Sequence, residues 1–141
     1  MDATILLVDD QADTVAELSR CLSRHGCTVL VAESGMRALS RARRHRPDAV
    51  LIDLMLHDSD AFSICEELRR FPGTAAVPVI VMTSLASEMA RSPDYASRAD
   101  AFLAKPCQPE ELIRTIEKVL RRPDAAFPAS VPFTLFGQGT A

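Results

Sequence analysis

Three carboxylates, a hydroxyl and an ammonium each follow directly on a short apolar run. Asp9 and Asp10 follow Ile5-Leu6-Leu7-Val8, and Asp53 follows Ala49-Val50-Leu51-Ile52. Thr83-Ser84 follows Val79-Ile80-Val81-Met82, and Lys105-Pro106 follows Ala101-Phe102-Leu103-Ala104. If these runs are strands of one sheet, neighbours lie about 4.8 Å apart and the groups share a small space. Crowded carboxylates repel one another, and such a cluster persists when a cation is present. Oxygen-only ligands suit Mg²⁺, which binds through one or two carboxylates and keeps several waters. A site with Mg²⁺, a carboxylate, a Lys and a hydroxyl is suited to phosphoryl transfer, because the cations neutralise the equatorial oxygens of the moving group. The carboxylate can itself be the nucleophile and form an aspartyl-phosphate.

The elements that must position these groups are legible from periodicity. Thr28-Val29-Leu30-Val31 resembles the runs above, and Ala101 to Ala104 is the weakest of the five. Continuous apolar runs, rather than alternating ones, predict strands buried on both faces. Between them lie helical patterns. Val15, Leu18 and Leu22 predict a first helix, N-capped by Asp13 and ending near Gly26. Ser34 caps a second carrying Met36, Leu39 and Ala42, which stops before Pro47. A third runs over 61–70 with Phe62, Cys65 and Leu68 inward. The last starts at Pro109, a good first-turn residue, and carries Leu112, Ile113, Ile116, Val119 and Leu120. Between Ser84 and Ser97 a helix is expected, but Pro93 falls inside it, at a cost of about 3 kcal/mol in a helix interior. Ser92-Pro93 reads as a new start, so this helix is broken or begins late. Strand and helix alternating five times predict a parallel sheet covered on both faces and joined by right-handed crossovers. Ligands of such sheets bind at the carboxyl ends of the strands, where the five groups fall.

The composition narrows the function classes. A chain of 141 residues fits one domain. The net charge of −3 lacks the basic excess of a nucleic-acid binder. No apolar run approaches the roughly 18 residues that span a bilayer, and Met1 to Thr4 is not a secretory start. The expectation is a cytoplasmic protein with no nucleic-acid or membrane partner. Cys21, Cys27, Cys65 and Cys107 form no C-x-x-C pair and read as reduced thiols, some of them in the core. Five arginines between Arg37 and Arg46 read as a solvated helix face. Residues 123–141 read as an apolar, Pro-containing tail, either disordered or docking through Phe127, Val131, Phe133, Leu135 and Phe136.

The five motifs in this order and spacing resemble the receiver domain of two-component response regulators, over about residues 3–122. Pro109-Glu110-Glu111-Leu112 resembles the start of that family's last helix. The resemblance implies a flavodoxin-like, doubly wound α/β fold, (βα)5, with sheet order 2-1-3-4-5. It implies that Asp53 is the phosphoacceptor and that Asp10 ligates Mg²⁺. Asp9 helps, often through water, and the Met55 backbone carbonyl is a further ligand. Thr83 would bond the phosphoryl group and move toward it, Lys105 would pair with a phosphoryl oxygen, and Phe102 would be the switch aromatic. The Lys105-Pro106 bond would be cis. The implied partners are a histidine kinase or histidine phosphotransfer protein and a downstream protein, met through the fourth helix, the fifth strand and the last helix. Homodimers are common among such domains. No output domain is expected after Arg122.

Departures from the family pattern are informative. His57 stands where the family has proline and Ala61 where it has glycine, so the loop from Leu54 to Ala61 is expected to differ in shape. Ser84 replaces a smaller residue beside Thr83, and Arg98 replaces a glycine before the fifth strand. Apolar Met55 and Leu85, two residues after Asp53 and Thr83, would position an attacking water poorly. The alternatives are a pseudo-receiver that binds partners without phosphorylation, and an Mg²⁺-dependent phosphatase with an aspartyl nucleophile. The second is disfavoured because Met55 stands where those enzymes carry an acid. A flavodoxin-like cofactor binder is weaker still, since no Gly- or Ser-rich loop follows the first strand.

Overall fold

The structure, a computed structural model, describes residues 1–121. The tail expected over 123–141 lies outside the described residues. The chain runs β1 (Thr4–Val8), α1 (Ala12–Arg24), β2 (Thr28–Ala32), α2 (Gly35–His45), β3 (Ala49–Asp53), α3 (Ala61–Arg69), β4 (Val79–Thr83), α4 (Ala86–Arg91), α5 (Pro93–Ala96), β5 (Ala101–Ala104) and α6 (Pro109–Leu120). Five parallel strands pair in the order β2-β1-β3-β4-β5. This is the flavodoxin-like order that the resemblance implied.

The strand runs are continuous because of where the strands lie. Nearly all of β1, β3 and β4 is buried, whereas the edge strands β2 and β5 are only partly covered. Alternate residues of the inner strands feed two cores. Leu6, Val8, Val50, Ile52 and Val81 pack on one side with α2 and α3 residues such as Ala38, Ala42, Phe62 and Leu68. Ile5, Leu7, Leu51, Ile80 and Met82 pack on the other with Leu22, Leu112 and Ile116 of α1 and α6. Ile52 is wholly buried, so truncating such a residue to Ala costs about 2–5 kcal/mol.

Two helix details differ from expectation. Gln11, not Asp13, occupies the N-cap of α1, and its side chain makes no capping bond. Asp13 lies two positions further in, in the first turn, where its charge meets the positive helix end. In α2 the buried stripe is Gly35, Ala38 and Ala42 with Leu39 beside it, and Met36, about 100° round the helix, is 77% exposed. The third helix runs as expected, closing at Arg69 with Arg70 as its C-cap. The broken helix is present as expected: α4 ends at Arg91, Ser92 is the N-cap residue of α5 and Pro93 its first residue. The arginines of α2 meet local needs. Arg43 and Arg44 sit at the negative C-terminal end, Arg43 stacks 3.9 Å over Phe71, and Arg37 lies 3.6 Å from Glu33. Cys27 and Cys65 are buried, Cys21 and Cys107 half-buried, and all four are free thiols.

Candidate functional site: an acidic cleft at the carboxyl edge of the sheet

Strand register places the acidic groups together. Val8 lies opposite Ile52, so Asp9 and Asp53 leave the sheet side by side. Asp53 pairs with Met82 and Thr83 with Ala104, which puts Thr83 and Lys105 on the far side of Asp53. One carboxylate oxygen from each of Asp9, Asp10 and Asp53 falls within 4.8 Å of the others. Among the described residues this is the one cluster of that kind. The peptide bond between Lys105 and Pro106 is cis.

The charges in the cluster are unevenly exposed. Asp9 is 1% exposed and is held by two bonds: the Gln11 N–H donates to its Oδ1 at 2.9 Å and Lys105 Nζ to its Oδ2 at 2.7 Å. Lys105 Nζ also lies 3.4 Å from Asp53 Oδ2. Burial pushes the Asp53 carboxyl above its ordinary value, Lys105 opposes this, and the neighbouring charges of Asp9 and Asp10 add to the rise. A site whose central carboxylate resists ionisation beside two others lacks positive charge. A hard divalent cation on oxygen ligands would supply it, and the donor set fits Mg²⁺. Asp9, Asp10 and Asp53 are the clustered groups that would hold it, and Met55 lines the same cleft.

Over the cluster lies an open cleft of about 580 Å³, walled by residues that include Asp10, Gln11, Met55, Thr83 and Lys105. Thr83 is buried and its Oγ1 accepts the Leu85 N–H at 3.1 Å, which leaves the hydroxyl proton available to an incoming oxygen. Met55, which lines the cleft, and Leu85, next to the lining residue Ser84, have 68% and 49% of their surface exposed. His57 is largely exposed, with Nδ1 3.7 Å from Asp10 Oδ2. Phe102 is half-buried away from the cleft, its ring 6.3 Å from that of Phe62. A second groove, about 830 Å³, lies between α5, β5 and α6 and touches none of the three carboxylates.

The family profile described as the response regulator receiver domain matches residues 5–117. The chain belongs to the response-regulator receiver family. Protein PilH of Pseudomonas aeruginosa is 35% identical over 84% of this chain and 98% of its own length. A probable transcriptional regulator, ycf27, of Porphyridium aerugineum is 38% identical over 86% of this chain but 50% of its own length. The chain thus spans about half the length of several of the curated relatives it matches. Among solved structures, a putative response regulator from Chloroflexus aurantiacus superposes with a TM-score of 0.76 at 33% identity, covering 86% of this chain and 100% of that one. The receiver domain of the sensor histidine kinase PA1611 from Pseudomonas aeruginosa, described with a magnesium ion in its active-site cleft, gives a TM-score of 0.76 at 29% identity, over 86% of this chain and 100% of that one. Receiver domains are signalling proteins that work with histidine kinases or phosphotransfer proteins and bind Mg²⁺ at an acidic site. Among the described residues no helix of this receiver is long and apolar enough to cross a membrane.

One residue beside the site escaped the sequence reading. Asp58 accepts two backbone N–H groups at the start of α2, from Gly35 at 2.9 Å and Met36 at 3.2 Å. These bonds, with Gly35 the larger contributor, hold its carboxyl below the ordinary range. Its partners lie more than twenty residues upstream, and no local pattern announces them. Asp60, by contrast, caps α3 locally by accepting the Ser63 N–H at 2.9 Å, a spacing that sequence inspection can find.

Proposed function

We propose that this receiver accepts a phosphoryl group on Asp53 from a phosphohistidine of a histidine kinase or histidine phosphotransfer protein, and that the modified domain changes its protein partner. The observation that carries the reading is the cluster of Asp9, Asp10 and Asp53 with Lys105 Nζ between two of its members. Asp10, Asp53 and the Met55 carbonyl hold Mg²⁺ in this reading, with Asp9 assisting. The bound ion supplies positive charge to the phosphoryl oxygens. An Asp53 carboxylate oxygen forms the new bond to phosphorus as the bond from phosphorus to the donor imidazole nitrogen breaks. The bonding pair returns to that nitrogen, which is protonated as it leaves. Lys105 Nζ donates to one phosphoryl oxygen and Thr83 Oγ1 to another. Thr83 moves toward the group and Phe102 turns inward, which alters the face made by α4, α5, β5 and α6. Residues 3–122 form the receiver unit.

Exposed, apolar Met55 and Leu85 give an attacking water no hydrogen-bonding partner, so the aspartyl-phosphate is expected to be long-lived. A half-life of seconds, followed by intact mass, would overturn that. The deciding experiment is intact mass after incubation with Mg²⁺ and acetyl phosphate. The wild type should gain one phosphoryl group and Asp53→Asn none. A folded wild type that gains no mass in Mg²⁺ favours the pseudo-receiver reading. His57 and Ala61 in the loop after Asp53 are the features that speak for that alternative.

A further inference from the structure

The loop between β3 and α3 carries the Met55 carbonyl and is fastened in two ways. At its ends the Leu54 N–H donates to Met82 O and the Ala61 N–H to Leu54 O, both at 2.9 Å. Within it the Leu56 N–H donates to Ser59 O at 2.9 Å, and Met55 bridges to Asp60. These bonds define the loop's shape but do not tie its tip to the sheet's neighbouring layer. Asp58 provides that tie, because its two carboxylate oxygens take the N–H groups of Gly35 and Met36 on α2. The next N–H of α2, from Arg37, goes to Ser34 Oγ at 3.1 Å. One helix start is therefore satisfied jointly by its own capping residue and by a side chain from the active-site loop. The fit is close: a Cβ at Gly35 would run into Ser59 Oγ and come within 2.7 Å of Ile64 Cδ1.

We infer that Asp58 is a positioning residue for the acidic site, fixing the Met55 carbonyl for Mg²⁺ by tying its loop to the N-terminus of α2. The inference rests on the phosphoacceptor reading above. Met55 lies three residues before Asp58 and bridges to Asp60 two residues after it, so the carbonyl and the tip belong to one small bonded loop. Mg²⁺ demands near-ideal octahedral geometry at about 2.0–2.1 Å, so a carbonyl displaced by a few tenths of an ångström is a poor ligand. His57, between them, already faces Asp10, so the same loop touches two members of the ligand set.

The test compares Asp58→Ala, Asp58→Asn and Ser34→Ala with the wild type in the full chain. It measures the Mg²⁺ dissociation constant by NMR titration of backbone amides, the urea unfolding midpoint, and phosphoryl uptake by intact mass. Asp58→Ala should weaken Mg²⁺ binding by about 10-fold, the lower end for lost supporting partners of metal ligands. Asp58→Asn keeps one of the two acceptor oxygens and loses the charge, so partial recovery of the affinity marks positioning rather than electrostatics. Ser34→Ala removes the other cap of the same helix start, and should lower the midpoint while leaving Mg²⁺ affinity unchanged. Wild-type affinity in Asp58→Ala overturns the inference, as does an equal loss in Ser34→Ala or no recovery in Asp58→Asn. A wild type that binds no Mg²⁺ and takes up no phosphoryl group overturns the site reading together with it.

Discussion

The two loops that leave the cleft, one after β3 and one after β4, are fastened by different means. On the β3 side, side chains close the helix starts: Ser34 and Asp58 serve α2, and Asp60 serves α3 through the Ser63 N–H and hydroxyl. On the β4 side neither α4 nor α5 has a side-chain capping bond, and the two helices are six and four residues long. Apart from the Leu85 N–H bond to Thr83 Oγ1, that side is held by packing, with Met89 and Ala99 against the core and further contacts at the surface. Tyr95 stacks on Phe62 with ring centroids 5.5 Å apart, Arg98 lies 4.5 Å over the Phe62 ring, and Arg98 approaches Glu66 at 3.6 Å. Short uncapped helices are marginal by themselves, so their order depends on packing. The difference divides the labour: the rim carrying the nucleophile and the metal ligands is held by directional bonds, and the rim next to Thr83 and Phe102 by contacts that can exchange.

The largest expected effect falls on the β3 rim. At about 100 times its dissociation constant, Mg²⁺ should stabilise the wild type by about 2.7 kcal/mol, seen as a higher urea midpoint. Hydrogen exchange should slow over 53–61 and stay nearly unchanged over 86–98. Uniform slowing of both rims would erase the distinction between them. In EDTA at pH 7, Asp53→Asn should be more stable than the wild type, because Asp53 titrates above its ordinary value of 3.8 when folded. Folding then favours the protonated carboxyl, and the associated stability is complete below 3.8 and lost as pH rises through the raised folded value. The advantage of Asn should therefore shrink as pH falls and vanish below the ordinary value.

Next in size is Asp60→Ala, expected to cost about 1 kcal/mol and up to 2 in urea unfolding, as the loss of a bonded cap does. Arg98→Gln should cost less than about 1 kcal/mol, since its ion pair is exposed and the ring contact partly solvated. Its signature is optical: Tyr95 is the only tyrosine and the chain has no tryptophan, so near-UV circular dichroism should change as the stack loosens. Smallest is Ser92→Ala, expected within about 0.5 kcal/mol of wild type because its side chain makes no capping bond. A cost as large as that of Asp60→Ala would show that the β4 rim is capped after all.

Much of this was legible in the residues. The strand runs were visible because the three inner strands are buried on both faces, which forces apolar residues at every position. The break at Pro93 was visible because a proline in a helix interior removes a hydrogen bond and clashes with the preceding turn. Ser34 was visible as a cap because its partner is three residues away. Asp13 was misread because the helix starts two residues earlier, at a Gln11 whose side chain makes no capping bond and so leaves no capping signal. Met36 was misread because one residue moves a side chain by about 100° around a helix, and spacing alone does not fix the phase.

The sequence by itself determined the order of strands and helices and the residue types at the strand ends, because both follow from local periodicity and turn chemistry. Tertiary structure decided the rest. Only the parallel register brings Asp9 beside Asp53 and Lys105 between them, across 96 residues of chain. Only the packing of α2 against the loop after β3 gives Asp58 its two partners. Both depend on side chains that meet across the fold, where the energy of a contact carries no trace of sequence distance.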